Sequence, residues 1–477
     1  MLRDRFSIDP LFTMFMDALE LVGIKIDPEL IEISRILEDD ELFQRIKHDL
    51  SKRHPKTLIT GRNSTPVEVV LRLLAVKHLY DWSYENTIRF VNDSLVLRWF
   101  CRLYFHQICS DKTLLRWANL IQPETLKLFN ERLNRIACEL KLTRGRKLRT
   151  DGTVIESNIH HPTDSNLLAD GVRVLSRLLK QAKGMLQDTT QLATETFRDR
   201  NRSARNAARR IYESSRRRSQ TAKANVRKVY QRLVRVTQAS IGQAKQVLVA
   251  LEGRVDEQAQ ELRANLEQFV PRVEQVIDQA KRRVFEGDQV PAKEKIVSIF
   301  EPHTDIICRG KANQPVEFGH KVWFDEVEGG IVSSYRILDG NPADSNQWKP
   351  TLDHHVELFG QPPNQASADR GVYSAPNEAY AEKIGVKRVI LPKPGYKSET
   401  RRQHEKQRWF KRGRRFHAGV EGRISVLKRK HGLDRCLYHG EDGFGRWVGW
   451  GVIAGNLAVM GSALFNRRST GKRGIKL

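Results

Sequence analysis

In TPVEVVLRLLAVKHLYDWS the apolar side chains Val67, Val70, Leu71, Leu74 and Leu79 recur at intervals that place them on one face of a helix. Thr65 reads as its N-cap and Pro66 as its first turn. SDKTLLRWANLI repeats the pattern behind Ser110, so residues 1–140 read as an all-helical domain of short, tightly joined helices, the texture of a helix-turn-helix module. Around Lys147 the period changes. RKLRTDGTVIE is β-branched and turn-prone, and predicts a strand ending near Asp151. No proline then occurs between Pro162 and Pro271, and the segment is rich in the helix formers Ala, Gln, Arg and Leu. Val255, Ala259, Leu262, Leu266, Phe269 and Val273 advance by steps of four and three, one apolar stripe along a helix.

Strand texture returns near Lys295. EKIVSIFEPHTDII, VEFGHKVWFDEVEGGIVSSYRIL and QASADRG predict strands, the second a hairpin around Glu328-Gly329-Gly330. NQWKPTLDHHVELFG predicts a helix ended by Gly360, APNEAYAEKIG another ended by Gly385, and VKRVILPKP a further strand before helices to the end. The order is that of an α/β fold, a mixed sheet split by a helical insertion. The expected divisions are a helical domain at 1–140, an α/β domain at 141–168 and 290–466, an insertion at 169–289, and a basic tail at 467–477.

Charge sharpens this picture. Lys and Arg outnumber Asp and Glu by 82 to 57, a net charge of +25 in 477 residues, which points to a polyanionic partner such as nucleic acid. Residues 191–250 hold 15 Lys or Arg against three acids, densest in RNRSARNAARRIYESSRRRS. So one-sided a run suits a clamp on the DNA backbone through Arg209, Arg210, Arg216, Arg217 and Arg218, with a solvated face as the plain alternative. The five cysteines are scattered without a CxxC pair, which speaks against zinc fingers or a disulfide framework. The amino-terminal MLRDRFSIDP has no apolar signal core. No charge occurs between Arg446 and Arg467, but four glycines, two asparagines and a serine dilute that run, so it reads as a buried helix and no membrane is expected.

Against this basic background the acids stand out. A two-metal centre needs carboxylates from separate elements, and hard divalent cations take oxygen ligands. Asp151 and Asp369 both fall at predicted strand ends. Asp325, Asp339 and Asp344 compete with Asp369 but fall in or after the hairpin, where acids are more often solvated or turn formers. Glu421 is the only acid between Glu405 and Asp434 and has apolar company at Val420, Ile424 and Leu427. Arg414, His417 and Lys428 share its helical face, an arrangement suited to a ligand with phosphate contacts beside it. Glu156 reads as a supporting group behind the site and Asp164 as the cap of the following helix. His160 and His161 point apart and do not share a metal.

TDGTVIESN, HPTDSNLL, ADRGVYS around Asp369, VEGRISVLKR around Glu421, and Asn456-Leu457 together resemble the DDE transposases of bacterial insertion sequences. The likeness spans about residues 60–165 and 295–465. It implies a ribonuclease-H-like core, two magnesium ions (manganese substituting) on Asp151, Asp369 and Glu421, and cutting and joining of element ends in double-stranded DNA. It also implies a homodimer holding two ends, and a DNA-associated protein of the bacterial cytoplasm. Where the family has tyrosine and arginine before the glutamate, this chain has Arg414 and His417. The other readings are a DNA-binding protein that keeps the fold without catalysis, and a magnesium-dependent nuclease.

Overall fold

The structure, a computed structural model, describes all residues except 4–10, 55, 62–63, 187–191, 193, 217–218, 309–314 and 472–477, together with the side chains of 469–471. Its elements run α1 (Phe12–Leu21), α2 (Pro28–Ile36), α3 (Asp40–Ser51), α4 (Val67–Leu79), α5 (Tyr84–Asp93), α6 (Leu95–Phe100), α7 (Asp111–Ala118), α8 (Pro123–Glu139) and β1 (Lys147–Ser157). There follow α9 (Asp164–Leu186), α10 (Asn201–Ser215), α11 (Gln220–Ala250), α12 (Glu257–Lys281), β2 (Asp305–Cys308), β3 (Val316–Val327) and β4 (Ile331–Ile337). The chain ends with α13 (Trp348–Phe359), β5 (Gln365–Ser367), α14 (Ala375–Lys383), β6 (Arg388–Ile390), α15 (Glu399–Lys406), α16 (Arg408–Lys430), β7 (Arg435–Cys436) and α17 (Gly440–Gly471). These elements form two units, residues 1–156 with 320–477, and residues 157–319.

The first unit is α/β, with a helical N-terminal part and a mixed sheet. Its strands run β4-β3-β1-β5-β6, with β7 at the end of β1. β3 and β4 are antiparallel. β1, β5 and β6 are parallel, and Lys147, Leu148 and Arg149 stand opposite Gln365, Ala366 and Ser367. The predicted hairpin is present, with Gly329 at φ +91° and Gly330 at φ +77° making the turn that other residues resist. Ser110 caps α7 by accepting the Thr113 N–H at 3.2 Å. At α4 it is Pro66, not Thr65, that occupies the N-cap position, without a side-chain cap. α17 packs against α2, α4, α8 and α16. The segment Gly440–Arg468 is long and apolar enough to cross a membrane, yet 67% of its most apolar window is buried inside the protein, the role read for it from its glycines and asparagines.

The strand expected to end near Asp151 continues to Ser157. Val154 and Ile155 are buried beyond it, and Gly152 lets the strand pass under Trp323, whose ring would lie 2.9 Å from any Cβ there. Asp151 is therefore inside a strand.

The second unit has its own core, formed by α9, α10, α11 and α12. The predicted stripe holds for Ala259, Leu262, Leu266 and Val273, all buried, while Val255 precedes the Asp256 cap and is 85% exposed. KIVSIF is not a strand. Ile296, Val297 and Ile299 are buried in this unit instead, and the Gln279 amide bonds both the N–H and the C=O of Ile296, taking the place of a ladder partner. Only Asp305–Cys308 extends, pairing with the start of β3. Asp164 does not cap α9. Thr163 Oγ1 accepts the Asn166 N–H at 3.3 Å, and the Asp164 carboxylate is held by Arg283 and Gln279.

Candidate active site

Side chains alternate along β1. Thr150 faces the buried side, donating to Asp325 Oδ1 at 2.6 Å and to the Phe324 carbonyl at 3.0 Å. Arg149 and Asp151 therefore share the opposite face. Asp369 lies just beyond β5, at the start of the turn Arg370–Val372. Continuing the β1–β5 register by two residues sets Asp369 level with Asp151. Strands in a sheet run about 4.8 Å apart, so the two carboxylates are neighbours.

The electrostatics agree. Asp151 is half-buried, and its carboxyl is pushed up to about 6 by burial first and then by the Asp369 charge, against the pull of the Gly152 N–H at 2.7 Å. Asp369 is held below the ordinary carboxylate range by its hydrogen bond to His417, whose Nε2 lies 3.1 Å from Oδ1. The Asp369 side chain is 65% exposed and that of His417 only 13%, so the histidine is the fixed partner.

Asp344, read from sequence as a turn acid, belongs to this neighbourhood. Its charge raises the Asp151 carboxyl further, its Oδ2 would lie 3.4 Å from a Cβ on Gly371, and Lys321 Nζ pairs with it at 2.6 Å. Lys321 was not legible as a site residue, because only the pairing of strand with loop brings it here. Asp325, also read as a solvated hairpin acid, is buried in β3 and accepts from Thr150 and Thr351. Glu156 is ion-paired with Arg435 at 2.5 Å.

α16 is fastened to β1 at two points. Arg149 Nη1 donates to the Phe416 carbonyl at 2.5 Å, and Lys428 Nζ donates to the Val154 carbonyl at 2.7 Å. Glu421 lies between these anchors, one helical turn beyond His417 on the same face, with an exposed side chain. Arg414 is exposed on the same helix. Asp151, Asp369 and His417 are thus brought together. Among the described residues no three His, Cys, Asp or Glu side chains stand close enough to hold a metal ion as they are, so Glu421 is not brought into a ready-made site with them.

In the second unit Arg209 is exposed and paired with Glu213 at 2.8 Å, Arg210 is exposed, and Arg216 lies over the Tyr212 ring. Arg217 and Arg218 lie outside the described residues. α9 adds a row that the sequence reading missed: Arg173, Arg177 and Lys180, all exposed, line one groove with Asn201 of α10. Arg173 and Asn201 continue into a second groove with Arg205 and Arg209. Helical spacing is the signal that could have found this row.

Two family models match the chain. Residues 24–120 match a Transposase domain (DUF772), and residues 378–461 match a Transposase DDE domain, which spans His417 and Glu421. No curated protein and no solved structure matches.

Proposed function

We propose that Asp151, Asp369 and Glu421 are the metal-binding carboxylates of a DDE transposase of the insertion-sequence type, a polynucleotidyl transferase dependent on divalent metal. The observation that carries this reading is the parallel register that sets Asp369 beside Asp151 under α16. Two carboxylates side by side, one with a raised proton affinity, are what a divalent cation would relieve, and their donors are the hard oxygens that magnesium takes. Ions bound there would activate the attacking water and stabilise the leaving oxygen at the scissile phosphate. Two magnesium ions, with manganese as substitute, fit three carboxylates.

The chain's own groups divide the rest of the work. His417 holds the exposed Asp369 carboxylate in place. Arg414, on the open side of α16, faces DNA phosphate. Strand order β4-β3-β1-β5-β6 supports a ribonuclease-H-like core. The helical N-terminal part reads the element ends, while Arg209, Arg210, Arg216, Arg217 and Arg218, joined by Arg177, Lys180 and Arg205, grip the backbone of double-stranded DNA. Two copies hold two element ends as a homodimer.

Glu421→Gln, Asp151→Asn and Asp369→Asn should each lower cleavage of an element end in magnesium by at least about 1,000-fold, roughly 4 kcal/mol in the barrier, with DNA binding kept. Cleavage by Glu421→Gln at the wild-type rate would remove that residue from the site. A strand-transfer assay on pre-cut ends separates transposase from plain nuclease.

A further inference from the structure

We propose that Arg149 is a positioning residue that sets Glu421 against Asp151 by fixing α16 on β1. This rests on the reading of those two carboxylates as metal ligands.

Arg149 stands two residues before Asp151 on the same strand face. Its Nε donates to Glu326 Oε2 at 2.8 Å and its Nη2 to Glu326 Oε1 at 2.5 Å, a bidentate pair with a carboxylate that is only 1% exposed. That pairing locks the guanidinium plane. The remaining Nη1 is aimed at the Phe416 carbonyl at 2.5 Å, and the group lies 4.7 Å from the centre of the Phe416 ring. A helical carbonyl already accepts from the residue four ahead, but it has a second lone pair. Arg149 uses that lone pair in the turn that carries both His417 and Glu421.

The approach is tight. A Cβ on Gly419 would lie 2.1 Å from Arg149 Nη1 and 3.0 Å from its Cζ. Gly422, one turn along the same helix, would meet nothing within 4 Å. The first glycine is required by the arginine, and the second is not. With Lys428 bonded to Val154 at the far end, the helix can neither slide nor roll on β1 between the two anchors. Glu421 and Asp151 both lie between them. Among the described residues no side chain is hydrogen-bonded to Glu421, so its reach toward Asp151 depends on where α16 sits. A misplacement of about 1 Å can cost about 100-fold in rate.

The test compares full-length Gly419→Ala with Gly422→Ala. Both add one methyl to α16, and only the first displaces the guanidinium. Gly419→Ala should keep element-end DNA affinity, lower magnesium-dependent cleavage about 100-fold, and raise the manganese concentration needed for half-saturation about tenfold, read by electron paramagnetic resonance without DNA. Gly422→Ala should match wild type in all three. The double variant Arg149→Met with Glu326→Gln removes the clamp together with both charges of the pair, and should behave as Gly419→Ala does. Wild-type cleavage and manganese binding in Gly419→Ala and the double variant, with Glu421→Gln inactive, would overturn the positioning role and leave the ligand assignment standing. Wild-type manganese binding and cleavage in Glu421→Gln would overturn both.

Discussion

Lys77 sits on α4, only 3% exposed, with its Nζ 4.9 Å from the ring centre of Tyr84, 5.1 Å from that of Tyr438 and 5.0 Å from that of Trp447. Burial lowers its pKa to about 8, with Asp81 pulling the other way. Below about pH 8 both folded and unfolded chains hold the proton, and the cost of burying the cation is complete. Between about 8 and 10.5 the unfolded chain binds more protons, so stability rises with pH. Wild type should therefore gain up to about 3 kcal/mol on Lys77→Met between pH 7.5 and 10.5, read from urea midpoints; parallel curves would show that the three rings already hold the charge without penalty. The same scale shows what sequence can carry. Asp151, Asp369 and Glu421 could be proposed as ligands because each is an acid in a local pattern, beside Gly152, beside Gly371, or alone among bases. The place of Asp344 beside Asp151, the part of Lys321 and the bond between Asp369 and His417 could not be read, since they depend on neighbours distant in the chain. Arg149 looked like one more cation in RKLRTDG. Its meaning comes from a buried carboxylate and a carbonyl that lie 177 and 267 positions away.

At the scale of elements, α17 is held by its polar residue as much as by its apolar ones. Asn456 is fully buried. Its Nδ2 donates to Asn130 Oδ1 and to the Val332 carbonyl, both at 2.8 Å, and its Oδ1 accepts the Val332 N–H at 2.9 Å. One side chain thus ties α17 to α8 and to β4 where the hairpin has turned. Asn456→Ala takes this partner from the buried Asn130 Oδ1 and Val332 N–H, while the Val332 carbonyl keeps the Asn130 and Asn134 amides, and should cost about 3 kcal/mol, seen as a lower urea midpoint. A loss under about 0.5 kcal/mol would mean that water replaces the amide. Periodicity predicted this helix as buried, and predicted the hairpin, the helices ended by Gly360 and Gly385, and most of the α12 stripe, because each signal is local. It failed where a partner decides the outcome. β1 outruns its turn-like Asp-Gly because Trp323 covers Gly152, and KIVSIF gives up its strand period because Gln279 and the helical core satisfy it.

For the whole molecule, the net charge of +25 is concentrated enough to be measured. Arg177, Lys180 and Arg205 are exposed and line the grooves along α9 and α10. If each neutralises one phosphate, replacing all three with Ala should flatten the dependence of log K on log salt by up to about 2.7 units. Preference among DNA sequences should stay as it was, since backbone contacts carry none. An unchanged slope would make this face a solvated one. The second unit also bears on how the protein reaches its fold. The chain leaves β1 at Ser157 and returns in β3, and those strands are neighbours in the sheet. Pairing them across so long an unfolded loop costs about 3 kcal/mol more in closure entropy than pairing them across a tight turn, so the intervening helices, local in their contacts, should form first and bring the two strand ends within reach. The insertion then acts as an internal folding template: loss of its core should slow refolding of the catalytic sheet, and a version in which residues 158–318 are replaced by a short glycine turn should regain its sheet faster than the full chain.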